Sequence, residues 1–513
     1  MKLNIKSNAR VLKQNIIANY VSQIYVTVIS IILLPLYIKY MGSEAYGLVG
    51  FFALLQAWFS VLDMGLTPTI SREAARYNGG ASTPLRFNQL YRALLVIFAG
   101  VALIGGTVLF LLSELIATHW LNLTELLVGD VIVAVQIMAV CVALRWITGL
   151  YRGVITGFEK LVWLSSFTAA IASLRFIGVF LSMWYFGFTP FVFFMHQLVI
   201  ALIEVVVLNA KARCFIPKVN GPTNIGWSIK PIKSIFKFSL TIALTASIWV
   251  LVTQTDKLIL SGILSLDSYS YFTLAVLLAN GILVLGGPIS VAVMPRMASL
   301  YAEGKHSDMI EVYKDSSQLV AVIAGTVSLT LIATARPFLL AWTGDPLLVE
   351  EAAPVLQLYA AGNLLLSFSS FAYYLQYAKG NLRYHLIGNV GLVAILIPCV
   401  TFAANYFGGV GAGYVWLVMN VFYLFIWVAY IHSKIESGLH VKWLINDCLK
   451  VILPVSIFAC IFYFANLYFL NDNRLYSLVF VGFVFVFLFV ISIISSQKIR
   501  LFLSQKVGLK RVK

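Results

Sequence analysis

Residues 145–175 read RWITGLYRGVITGFEKLVWLSSFTAAIASLR. A short polar connection, YRGVITGFEK at 151–160, separates two apolar runs, and each run holds an arginine, Arg145 and Arg175. An α-helix needs about 20 apolar residues to cross a bilayer. Followed outward, both runs reach that length, so the stretch reads as two membrane helices joined by a tight turn. The same criterion gives fourteen spans in all: 15–40, 46–70, 89–112, 127–150, 161–186, 188–210, 234–260, 269–294, 315–336, 350–376, 384–406, 409–432, 444–468 and 475–496. The composition agrees, with 61% hydrophobic and only 11% charged residues in 513, where a soluble domain has about 25% charged. Lipid satisfies no backbone hydrogen bond, and these runs are too long and evenly apolar for barrel strands. The expected fold class is an all-α integral membrane bundle.

The net charge of +16 is a matter of topology. Of 36 lysines and arginines, 30 fall on the even-numbered connections and the two tails, and the opposite connections hold only Lys39, Arg336 and Arg474. By the positive-inside rule both termini are cytoplasmic. One miscounted helix would break this alternation. The basic excess therefore points to topology and lipid contact, not to nucleic acid. The basic N-terminal stretch leads into an apolar run too long for a signal peptide, and it reads as a retained first helix.

The connection at 151–160 returns at 374–383 as YLQYAKGNLR, with Tyr151, Gly157 and Lys160 matching Tyr374, Gly380 and Arg383 at an offset of 223. GSEAYG at 42–47 pairs with SLDSYS at 265–270, and REAARY at 72–77 pairs with RMASLY at 296–301. Three landmark pairs at a near-constant offset imply two six-helix repeats. An even number of helices per repeat inserts both in the same orientation, related by an axis along the membrane normal, with a central cavity between them. The expected division is an N-terminal lobe at 1–210, a basic cytoplasmic linker at 211–233, a C-terminal lobe at 234–432, and two further helices with a basic tail at 433–513.

No phosphate-cradling loop, HExxH or nucleophile-elbow motif is present, so the chain does not read as an enzyme. The five cysteines, Cys141, Cys214, Cys399, Cys448 and Cys460, form no CxxC pair, and neither a metal nor a cofactor is expected. The chemistry lies in charges within the spans: Asp63, Arg145, Arg175, Glu204, and the pair Asp256 and Lys257. Such a charge costs roughly 2.5–3.5 kcal/mol at mid-membrane unless it meets a partner or a wet cavity. Two readings stand for the arginines. In one, Asp63 or Glu204 neutralises Arg145 to lock helices, while Arg175 has no acid at its own depth. In the other, the planar guanidinium fork receives an anionic ligand, above all a phosphate. Polar stripes at helical spacing, Thr168–Arg175–Ser182 and Thr241–Thr245–Trp249–Asp256 among them, read either as helix seams or as a cavity wall. Asn280, Asn363, Tyr374 and Asn420 are the candidate cavity contacts from the second half. Asp63, Glu204, Asp256 and His196 are candidate protonatable sites for ion coupling; a structural histidine is the competing reading of His196. Gly286-Gly287-Pro288 and Pro35 are expected to bend their helices.

Fourteen helices in a 6 + 6 + 2 order resemble the polysaccharide flippases of the multidrug/oligosaccharidyl-lipid/polysaccharide exporter superfamily. So do Asn15 and Asn19, LDMGL at 62–66 followed by Arg72, QTDKLILSGIL at 254–264, PRMASLY at 295–301, AWTG at 341–344 and QYAKGNLR at 376–383. The resemblance implies flipping of undecaprenyl-diphosphate-linked oligosaccharide, such as O-antigen repeat units, across a bacterial inner membrane by alternating access. It places Arg145 and Arg175 in a cationic cavity and Arg72 and Arg296 at its cytoplasmic mouth. It also implies contact with membrane lipid and with a polysaccharide polymerase and chain-length regulator. Lipid II flippases and multidrug cation exporters of the same superfamily are the alternatives. The first carry arginines in helix one, which is absent here, and the second carry acidic cation sites.

Overall fold

The computed structural model describes residues 2–63, 65–217, 247–468 and 473–506. The described residues are helical almost throughout, and they form two compact units, Met1–Ser270 and Tyr271–Lys513. Among them, twelve segments are long and apolar enough to cross a membrane. One of the twelve, Arg383–Ile435, has 53 residues. At 1.5 Å per residue it would be roughly 80 Å long, far more than one crossing requires. It is broken at Gly408, whose backbone (φ 56°, ψ −139°) is non-helical and open to glycine. Two of the expected spans, 384–406 and 409–432, lie on either side of that break. Much of the expected span at 234–260, with Thr241 and Thr245, lies outside the described residues.

In the first unit, α1 is Lys2–Met41, α2 Ser43–Val61, α3 Leu66–Asn78, α4 Pro84–Leu111, α5 Val128–Gly157, α6 Leu161–Phe186 and α7 Pro190–Arg213. The expected second span, 46–70, is two helices. Gly65 turns the chain in the left-handed region (φ 70°), and the Asp63 carboxylate accepts from Thr67 N–H at 3.2 Å and Thr67 Oγ1 at 2.5 Å. That is an acidic cap on the first turn of α3, worth about 1 kcal/mol. The amphipathic α3 lays Ile70 and Ala74 into a core with Phe87, Phe98, Trp146 and Val154. It approaches α5 along a seam of glycines four residues apart, Gly149, Gly153 and Gly157. A methyl on Gly153 would meet Ile70 and Thr67, and one on Gly157 would meet the Ser71 carbonyl and Ala74. Small residues at this spacing let helix backbones close up where lipid gives no hydrophobic drive.

The repeat-related turns 42–47 and 265–270 touch each other. Ser43 donates to Asp267, Thr124 Oγ1 donates to the same carboxylate at 3.0 Å, and Tyr46 and Tyr269 are both buried. Glu44 accepts three successive N–H groups, from Thr124, Glu125 and Leu126, at 2.6–2.8 Å. Trp120 Nε1 donates to Ser261 Oγ at 3.0 Å, tying in the helical stretch 247–261.

The next helix, α8, is Leu266–Ala302, most of it in the second unit, where α9 is His306–Thr343, α10 Pro346–Ala378, α11 Arg383–Ile435, α12 Leu439–Asn466 and α13 Arg474–Ser495. The helix α8 runs unbroken through Gly286-Gly287-Pro288, and α1 runs through Pro35. The kink falls instead in α9 at Thr334 (φ −123°, ψ 24°), three residues before Pro337, where the proline ring displaces the preceding turn. Most of α9 and α10 is buried. Their core joins Tyr313, Phe368 and Phe371 to Trp443, and Tyr313 OH pairs with His432 Nε2 at 2.8 Å.

The glycine seam gives a direct prediction. Gly157→Ala places a methyl against backbone atoms that cannot rotate away, and should destabilise the unit by roughly 1–3 kcal/mol. The readout is a lowered melting temperature in detergent. Gly100→Ala, where an added methyl meets nothing within 4 Å, is the control and should be neutral or slightly stabilising.

Candidate functional site

Helices α5 and α7 run parallel and face each other through two polar rungs. Arg145 Nη2 donates to Gln197 Oε1 at 2.6 Å, and Arg152 Nη2 donates to Glu204 Oε1 at 2.7 Å. Both helices space their rungs seven residues apart, two turns on one face. A third arginine comes from α6. Arg175 sits in a π-helical turn, Leu174–Gly178, and its Nη2 donates to the other Glu204 oxygen, Oε2. Such turns insert a residue and redirect side chains, often where function requires it. Its own carbonyl accepts from Gln197 Nε2 at 3.2 Å. Glu204 is thus clamped between two guanidinium groups, and its side chain is only 3% exposed.

Arg145 is held differently. Its Nη1 donates to Gln56 Oε1 at 2.6 Å, and the guanidinium lies 4.8 Å over the Phe52 ring. It makes no direct ion pair among the described residues. The Nε atoms of Arg145 and Arg175 are buried and have no hydrogen-bond partner among the described residues. Three guanidinium groups therefore surround one carboxylate, an excess of two positive charges in a low-dielectric interior. Arg152 is 29% exposed at its side chain and borders a cleft of about 410 Å³ whose lining includes Asn19, Ser22, Gln23, Thr27 and Thr168. Amides, hydroxyls and a guanidinium in one cleft can bind a phosphorylated sugar but have little to offer an organic cation.

Several expectations change here. Arg175 does have an acid at its own depth, Glu204. Neither Asp63 nor Glu204 contacts Arg145: the first caps α3 and the second takes the other two arginines. Arg152, read as part of a loop, lies inside α5 because that helix continues to Gly157. Its spacing of seven from Arg145 was the available signal. Gln56 and Gln197 were also missed, since a lone glutamine carries no signal until its partner is known. Thr168 and Ser182 do share the polar face of α6 with Arg175. Thr168 accepts from Arg152 Nη1 at 3.0 Å, and Ser182 Oγ lies 2.8 Å from His196 Nδ1. His196 Nε2 meets the Leu174 carbonyl at 2.9 Å, so both ring nitrogens are engaged in holding α6 to α7.

The remaining candidates lie elsewhere. Arg72 on α3 and Arg296 near the end of α8 are exposed. Asp256 is buried, and accepts from the Lys257 N–H at 2.8 Å. In the second unit, Asn363 Nδ2 donates to Asn280 Oδ1 at 3.2 Å, Trp416 Nε1 donates to Asn363 Oδ1 at 2.9 Å, and Asn420 Nδ2 donates to the Trp416 carbonyl at 2.8 Å. Asn363 and Asn420 are buried, and their amides join α8, α10 and α11. Asn280 and Tyr374 keep part of their surface.

Residues 12–301, more than half of the chain, match the family described as polysaccharide biosynthesis protein. The chain belongs to that family. The matched region contains every residue of the arginine–glutamate cluster. A candidate O-antigen transporter of Shigella flexneri is 22% identical over 278 residues, 53% of this chain and 63% of that protein. This family member also shares a fold with solved transporters. Lipid II flippase MurJ in an inward closed conformation aligns over 93% of this chain and 97% of its own, at a TM-score of 0.67 and 15% identity. A multidrug resistance MATE family transporter of the MOP superfamily, inward-facing, aligns over 80% and 96%, at a TM-score of 0.65 and 12% identity. The chain is a multi-pass membrane protein with a MOP-type fold.

Gln197 is the positioning residue of the cluster. Gln197→Leu removes a charge-assisted acceptor from Arg145 and a donor from the Arg175 carbonyl, at a cost of about 1.5–3 kcal/mol. The expected result is a lower melting temperature of purified protein at an unchanged membrane level. A mutant as stable as the wild type would show that the rung does not hold Arg145.

Proposed function

We propose that this chain is a flippase that moves oligosaccharides linked to a polyprenyl diphosphate from the cytoplasmic to the periplasmic leaflet by alternating access. The observation that carries the reading is the excess of guanidinium groups in the Arg145–Arg152–Arg175–Glu204 cluster, bordered by a cleft rich in amides and hydroxyls. A diphosphate brings the missing negative charge, and a bidentate guanidinium contact gives it orientation. The sugars, rich in hydroxyls, match Asn19, Gln23 and Thr168. Family membership and the likeness to a candidate O-antigen transporter support the same substrate class. A site for organic cations would need the opposite balance of charge.

The distribution of lysines and arginines supports an orientation with both termini in the cytoplasm of a bacterial inner membrane. On that orientation Arg72 and Arg296 stand at the cytoplasmic mouth, where exposed cations draw in an anionic headgroup. Six-helix lobes at 1–210 and 234–432, with the remaining helices as an appendage, give the two bodies that alternating access requires. Asn280 and Tyr374 are the second unit's candidates for sugar contact. A polysaccharide polymerase and a chain-length regulator are the partners expected to take the flipped unit onward.

The test measures lipid-linked oligosaccharide in each leaflet of cells depleted of this protein. Depletion should strand glycan on the cytoplasmic leaflet, wild type should restore it, and Arg175→Gln should fail at an equal membrane level. Arg152→Gln should lower flipping by roughly tenfold or more, and Arg152→Lys should retain part of it. Glycan that reaches the periplasmic leaflet in depleted cells would overturn the substrate class. Full rescue by both glutamine variants would overturn the role of the arginines.

A further inference from the structure

The two Glu204 oxygens are divided between two helices. One takes Arg152 Nη2 of α5, and the other takes Arg175 Nη2 of α6. The other terminal donors of Arg152 and Arg145 are also engaged. Arg152 Nη1 is on Thr168, and the two Arg145 nitrogens are on Gln56 and Gln197. A phosphate that bridges Arg152 and Arg175 in the place of the carboxylate meets the same two nitrogens, and the unpartnered Arg175 Nε is one further donor beside them. The carboxylate has the same planar, two-oxygen, anionic character as the face of a phosphate.

We infer that Glu204 is a built-in stand-in for the ligand's phosphate. The ligand enters by the cleft beside Asn19, Gln23 and Thr168, reaches Arg152 first because that arginine lines the cleft and its side chain is the more exposed of the two (29% against 21%), and displaces the carboxylate from both arginines. The inference rests on the flippase reading and adds a proton to it. Glu204 is 3% exposed at its side chain. Once displaced it has lost both ion pairs and faces the incoming negative charge. A buried carboxylate without a counter-ion takes a proton instead. One proton from water is gained as one phosphate binds, and it is lost when the ligand leaves and the ion pairs re-form. The charged or titratable groups around Glu204 are Arg145, Arg152 and the buried thiol of Cys141 on α5, and Arg175 on α6. Among these described neighbours, Glu204 is the only acid. His196, on the same helix α7, is engaged at both nitrogens. Ligand binding and protonation are then linked at one side chain.

The sign follows from linkage. Binding that takes up a proton weakens as pH rises, so the dissociation constant should increase, by up to about tenfold per pH unit. The probe is UDP-glucose, a soluble diphosphate diester whose own charge does not change near neutral pH. The measurement is calorimetric titration of the full chain in nanodiscs, in two buffers of different ionisation enthalpy. Wild type should take up about one proton per probe bound. Glu204→Gln should bind more tightly, with no proton uptake and a flat pH profile, because a neutral amide competes poorly for guanidinium. Glu204→Asp should keep the uptake. If wild type binds without proton uptake, Glu204 stays ionised beside the ligand and the inference fails, while the flippase reading stands. Uptake that persists in Glu204→Gln would assign the proton to another group and sink the inference in the same way. If wild type does not bind the probe, the phosphate site itself is wrong, and the reading of function falls with it. The wild-type titration decides the question even if the glutamine variant does not fold.

Discussion

A single carboxylate between two guanidinium groups governs the first unit. Charges within a membrane protein are tolerated when each finds a partner, and Glu204 satisfies two at once, one from α5 and one from α6. That requirement fixes three helices relative to each other. It holds α5 parallel to α7 so that Arg145 meets Gln197 one rung away, and it holds the π-helical turn of α6 where Arg175 can reach. Removing the acid would leave two cations facing each other in a low dielectric, and removing either arginine would leave half a clamp. The same arrangement gives the site its chemistry, because a clamp that fits a carboxylate also fits a phosphate.

Around that clamp, packing follows the needs of an apolar solvent. Lipid offers helices no hydrophobic reason to associate, so close backbone approach and internal hydrogen bonds do the work. The seam at Gly149, Gly153 and Gly157 lets α3 press on α5, and α3 exists as a separate helix because Asp63 caps it after the turn at Gly65. The second unit uses neutral groups for the same purpose. Asn280, Asn363, Trp416 and Asn420 form a chain of amide and indole hydrogen bonds that joins α8, α10 and α11. The second unit also has ion pairs, Lys379 with Glu436 and Lys498 with Glu311 and Asp315, but their acids are far more exposed than Glu204 of the first.

The sequence by itself determined the class of molecule. Long apolar runs force a helical membrane bundle, and from the bias of lysine and arginine and the recurring landmarks come the proposals of an orientation and of a duplicated half. Arg145, Arg175 and Glu204 could be singled out because a charge in such a run is rare and costly. The helical stripe through Thr168, Arg175 and Ser182 was legible for the same reason of period. Tertiary structure alone decided who pairs with whom. Glu204 takes Arg175 and Arg152 and leaves Arg145 to glutamines, because a helix period gives the face of a residue but not the rotation or depth of the neighbouring helix. Arg152 passed for a loop residue because apolar content marks where a helix leaves the hydrocarbon, not where it stops. Asn363 and Asn420, which looked like cavity contacts, are buried between helices, since an amide in a stripe serves a seam as readily as a ligand. Composition and period are properties of one helix at a time, whereas a binding site is a property of several.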